Sequence, residues 1–197
     1  MRKFSVLVLM LVELLAYGQL SNASKNSGWW EKSKARKEQI TSVQISKETL
    51  GKLSTHELLE ACLNYPYLLD IAAYGNFQLG FNTISSDFNG FKELYKRGDI
   101  VETILEKISE LPSRTLNLST SRSAERGIYS MKYLVLEYLM NQDAFLEKLN
   151  GEQKSRLARI LQKNDSVMRH YPNTYGVSLL TRANDSDMSV YLRNLLD

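Results

Sequence analysis

Between Ser54 and Pro66 the chain reads STHELLEACLNYP, and His56-Glu57-Leu58-Leu59-Glu60 differs by one letter from H-E-x-x-H, the helical pattern that holds a catalytic zinc. At about 100° per residue, His56 and Glu60 fall one turn apart on the same side, with Glu57 beside them. The trio therefore offers two metal ligands and a general base. A working site also needs a third protein ligand and an open position for water. His170 is the only other histidine, and no spacing among the 22 acidic residues selects a carboxylate for that role.

The same letters spell a helix start. Ser54 followed three residues later by Glu57 is a capping box, with Leu58, Leu59, Cys62 and Leu63 as the apolar face and Glu57, Glu60 and Asn64 as the wet one. His56 lies on the border, an i,i+4 neighbour of Glu60. Cys62 is displaced by about 120° from His56 around the axis, so the two form no thiol–imidazole couple. A thiol on an apolar face reads as inert core. Neither a G-x-S-x-G elbow nor a glycine-rich phosphate loop occurs. On these grounds no catalytic residue, metal ligand set or cofactor site is assigned, and the structural reading of HELLE is preferred.

Two other kinds of residue draw notice. Asn22, Asn117, Asn164 and Asn184 each begin an N-x-S sequon, usable where the exporting cell glycosylates and fortuitous in a bacterium. Trp29-Trp30 sits beside Lys32, Lys34, Arg36 and Lys37, a pairing suited to a membrane interface or a partner, or folded back on the domain.

The elements that must position these groups are helical. Thr55 to Asn64 is expected as a first helix, closed by Tyr65-Pro66 because a proline disfavours helical geometry in the residue before it. Tyr67 to Tyr74 is expected as a second, ended by Gly75. Phe77, Phe81, Ile84, Phe88 and Phe91 are spaced four, three, four and three, which lines one helical face with core groups. Asn89-Gly90 and Ser85-Ser86-Asp87 predict a kink or split near residue 87. Asp99 opens a helix that runs to Pro112, and residues 113–123 form a surface loop. Ala124 to Met140 is apolar enough in its second half to be a central helix covered on most sides. A short helix restarts at residues 141–143. Asn150 and Gln153 make a second capping box for a helix with Leu157, Ile160, Leu161 and Met168 inside, ending near Tyr171-Pro172. A last helix is expected from about Asp187. With no strand pattern and few glycines and prolines, the fold class is all-α: an irregular bundle or an array of short helical hairpins.

At the N-terminus, Arg2 and Lys3 precede an apolar run from Phe4 to Leu15 and the small residues Ala16 and Gly18, the anatomy of a cleavable secretory signal over residues 1–18. The run is short of the roughly 20 residues that span a bilayer and contains Glu13, so no transmembrane anchor is expected after cleavage. Residues 19–44 read as a polar, flexible linker and 45–197 as a single helical domain. Cys62 is the only cysteine, so an exported chain must rely on packing rather than disulfides. The net charge of +3, from 25 basic and 22 acidic residues, is too balanced to argue for a nucleic-acid partner.

The phrases LSTHELLEACLNYPYLLDIAAYGNFQLGFNTISSDFNGFKELYKR, MKYLVLEYLMNQ and PNTYG together resemble a group of uncharacterised, exported, mostly helical proteins of Gram-negative anaerobic bacteria. The resemblance runs from Leu53 to the C-terminus and implies a periplasmic or secreted helical domain; it carries no activity and no functional residues. The expectation that follows is a non-enzymatic binding module for a protein or peptide, with a groove lined by Tyr65, Tyr67, Tyr74 and Phe77. The same tyrosines would otherwise be core residues with their hydroxyls at the surface. A metal-dependent envelope hydrolase using HELLE is the alternative.

Overall fold

The computed structural model describes residues 29–74, 76–110 and 123–171, and every regular element among them is helical. The expected signal peptide, the loop from residue 113 and the final helix from Asp187 lie outside the described residues. The stretch expected as one domain divides into two compact units, the first ending at Glu93 and the second beginning at Leu94.

The first unit corrects the expected linker, because Trp29–Ser42 is a helix, α1. Its lysines, glutamates, arginine and alanine are good helix formers, but they leave no apolar stripe to announce the element. Polar contacts hold it instead. Arg36 pairs with Asp70, and its guanidinium lies 3.9 Å from the centroid of the Tyr67 ring. Just beyond α1, the Gln44 amide donates to Asp87 O at 2.9 Å and accepts from Asn89 N at 2.9 Å. Asn89 in turn accepts from Ile45 N at 3.1 Å and donates to Ile45 O at 2.7 Å. Two side-chain amides thus satisfy backbone groups that a turn would otherwise leave open.

Next come α2 (Lys47–Lys52), capped by Ser46, and α3 (Thr55–Leu63), opened by the expected Ser54–Glu57 capping box. Where an α-helix was expected over 67–74, the chain forms a 3-10 helix, Leu68–Ala73. A three-residue turn stacks Leu68 directly over Ile71. Both are buried while Leu69 between them is 52% exposed. Asn76 caps α4 (Phe77–Asp87), and the extended Phe88 separates it from α5 (Asn89–Leu94), the split expected near residue 87. Phe81, Ile84, Phe88 and Phe91 are buried, as their spacing predicts, and Phe77 is half-buried.

In the second unit, α6 (Ile100–Ser109) starts at Asp99, whose side chain makes no capping bond. Helix α7 (Ser123–Met140) is the covered central helix: every residue from Tyr133 to Met140 is buried. It is followed by α8 (Asp143–Leu146) and by α9 (Gly151–His170), which opens with the expected Asn150–Gln153 capping box. Helix α6 packs against both α7 and α9, and α8 packs against α7. Leu157, Leu161 and Met168 are buried along α9, and Asn164 is buried with them. No helix among the described residues is long and apolar enough to cross a membrane.

Candidate functional site

The residues of HELLE fold as a helix start. Glu57 Oε2 accepts from Ser54 N and from Ser54 Oγ, both at 2.9 Å, while Glu57 N donates to Ser54 Oγ at 3.2 Å. The carboxylate that a hydrolase would use as its base is already spent on the cap. His56 is exposed and Glu60 half-buried. Among the described residues no group of three or more His, Cys, Asp or Glu is placed to hold a metal ion. Burial pushes the Cys62 thiol up, away from the thiolate a nucleophile requires.

The tyrosines expected along a groove divide by burial. Tyr65 is core, 3% exposed, stacked on Phe88 with centroids 4.5 Å apart and 23° between planes, and Tyr67 meets its ring edge-on at 5.6 Å. Tyr67, Tyr74 and Phe77 are half-buried. The alternative placed the hydroxyls at the surface, but Tyr65 Oη is buried without a hydrogen-bond partner among the described residues. Burial accordingly raises its ionisation far above the ordinary phenol range. An orphaned buried hydroxyl costs about 1–3 kcal/mol, so Tyr65→Phe is expected to stabilise the protein by about 1 kcal/mol. Urea titration followed by circular dichroism reads this directly, and a lower midpoint would mean that the hydroxyl has a partner.

The second unit holds an arrangement that the sequence reading passed over. A pocket of about 350 Å³ is lined by Ser109, Arg156, Arg159, Ile160, Lys163 and Asn164. The last five recur at three, four, seven and eight residues along α9, one stripe of a 3.6-residue helix. Ser109 contributes from the end of α6. Arg156 is paired with Glu102, which also accepts from Gln153 Nε2 at 2.8 Å. The Gln153 hydrogen bond and then Arg156 hold the Glu102 carboxyl below its ordinary value. Its contribution is therefore present above the usual carboxylate range and fades as pH falls through the lowered value; being half exposed, it is small.

Arg159 and Lys163 form no ion pair among the described residues; the Arg159 Nε donates to Ser155 O at 3.3 Å. The carbonyl end of α6 supplies only about half a negative charge. Two of the lining side chains, Arg159 and Lys163, thus carry charge without an ion pair among the described residues, and no acidic side chain is among the lining residues.

Asn164 forms part of the wall and is fully buried. Its Nδ2 donates to Ile108 O at 2.8 Å and to Tyr133 Oη at 3.3 Å, while Oδ1 has no partner among the described residues. Burial removes Asn164 as a glycosylation acceptor in the folded protein. Asn22, Asn117 and Asn184 lie outside the described residues. On α7, Ser130 and Glu137 share the face of Tyr133 at the i, i+3, i+7 positions and are likewise buried. The signal for these groups was in the letters: a glutamate inside LVLEYLM, and an asparagine in the inward register of α9. Comparison with family models, with curated proteins and with solved structures yields no match to this chain.

Proposed function

We propose that this protein is a non-enzymatic, exported binding module that holds an acidic segment of a protein or peptide partner in the pocket of its second unit. The observation that carries the reading is the pair of cations, Arg159 and Lys163, left without acidic partners beside a hollow of about 350 Å³. That volume is at the lower end of the roughly 300–1,000 Å³ of small-ligand pockets, which suits one or two side chains rather than an extended cofactor. Guanidinium groups present planar donors that match carboxylates, and an ammonium adds a compact charge. Export, to the periplasm or beyond, belongs to the same proposal and is supported by the signal-like pattern of residues 1–18.

Anisotropy titration of fluorescein-labelled acidic and neutral hexapeptide pools tests the reading. The acidic pool is expected to bind more tightly and to weaken with salt. Reversing both charges, Arg159→Glu with Lys163→Glu, should cost at least about tenfold in affinity, whereas Lys154→Glu on the exposed face of the same helix should change little. Equal binding of both pools, or an unchanged affinity in the double reversal, would remove the pocket from the reading.

A further inference from the structure

Independently of the pocket in the second unit, we infer that Tyr67 and Asp70 form a site for an arginine side chain of a partner protein, that Arg36 fills this site in cis, and that the incoming arginine releases α1 by taking its place. The Arg36 guanidinium lies over the Tyr67 ring, 3.9 Å from the centroid, and pairs with the Asp70 carboxylate. A guanidinium stacked on an aromatic face and set against a carboxylate favours arginine over lysine, because an ammonium is compact, more strongly hydrated and unable to stack. The occupant already present thus states the chemistry of the ligand.

The receiving half of the site is fixed without help from α1. Asp70 N donates to Tyr67 O at 3.1 Å, and this three-residue turn brings the two side chains onto one side. Tyr65 meets the Tyr67 ring edge-on and is itself stacked on Phe88 in the core. The occupant is held far more loosely. No residue from Lys34 to Ser42 is buried. The Arg36 and Asp70 side chains remain 33% and 43% exposed, and an ion pair so open to water contributes little to holding a helix down. Beyond the other end of α1, the Gln44 amide donates to Ile40 O at 2.8 Å while it also reaches Asp87 O and Asn89 N. Gln44 therefore serves as the pivot about which the Arg36 end lifts. A released helix of 14 residues is marginal by itself in water, so release exposes its amides to exchange.

The test uses the full chain and two amidated hexapeptides of glycine and serine, one carrying two arginines and the other two lysines, at matched ionic strength. In fluorescence anisotropy, Arg36→Gln is expected to bind the labelled arginine peptide at least about threefold more tightly than the wild-type chain, which must first displace its own arginine. Adding Asp70→Asn to Arg36→Gln should remove that gain. In the wild-type chain, the unlabelled arginine peptide should raise hydrogen exchange over residues 34–42 severalfold and leave α3 unchanged, and the lysine peptide should do less than half as much. Equal affinity of the wild-type and Arg36→Gln chains, equal affinity for the two peptides, an α1 exchange rate that the arginine peptide leaves unaltered, or a rise in α3 as well would each overturn the inference.

Discussion

Replacing Gly80 with alanine is expected to destabilise the protein by about 3 kcal/mol. An ideal Cβ at this position would lie 2.4 Å from Ile71 O, 2.9 Å from Ile71 Cα and 3.0 Å from Ile71 C. These are backbone atoms of the 3-10 helix on which α4 packs, so no side-chain rotation relieves the overlap; the two elements must separate. Helix propensity acts in the opposite direction, since alanine is favoured over glycine by about 1 kcal/mol in a helix interior. The overlap outweighs it. Gly127, inside α7, supplies the contrast because nothing lies within 4 Å of its ideal Cβ. Gly127→Ala should therefore stabilise by somewhat under about 1 kcal/mol. Urea unfolding of both variants gives opposite shifts of the midpoint; a gain in Gly80→Ala would refute the close approach of α4 to the 3-10 helix.

Phe88→Ala should cost about 4 kcal/mol. The Phe88 ring stacks on Tyr65 and meets Phe91 edge-on, with centroids 6.0 Å apart and 83° between planes; Phe91 meets Phe81 at 6.0 Å and 74°. One ring thus links α4, α5 and the Tyr65 turn. Phe88 is 3% exposed, so its removal adds a cavity to the lost transfer energy. The ring also explains Gly90, where an ideal Cβ would sit 2.4 Å from Phe88 Cε1. Gly90→Ala should accordingly destabilise the native protein and do less harm once Phe88 is alanine. A double-mutant cycle measures that coupling, and additive losses would separate the two sites.

How much of this was legible varies with the reach of the interaction. The Ser54–Glu57 and Asn150–Gln153 boxes and the break at Phe88 were readable because each depends on residues within a turn of one another. The apolar stripe of α4 was readable because burial follows the 3.6-residue period. Helix α1 was not, since its anchors are Asp70, 34 positions from Arg36, and Asn89, 45 positions from Gln44. Tyr65 was expected either along a groove or in the core with its hydroxyl at the surface; its stacking on Phe88 and its buried hydroxyl depend on how α4 meets the Tyr65 turn. The cations of α9 drew no reading from the sequence, because the end of α6 that completes the pocket beside them is brought there only by the fold.

By itself, then, the sequence determined the fold class, most helix boundaries and the caps, and it already favoured a helix start over a metal site in HELLE. Those properties arise from hydrogen bonds and periodicities spanning a few residues, which neighbouring side chains decide. Tertiary structure decided that Gly80 must be glycine, that Arg36 docks an otherwise unannounced helix, and that Asn164 reaches Ile108 O across 56 positions and leaves its Oδ1 buried without a partner among the described residues. Each of these depends on where helices cross, and crossing points follow from the packing of whole faces rather than from any local run of letters.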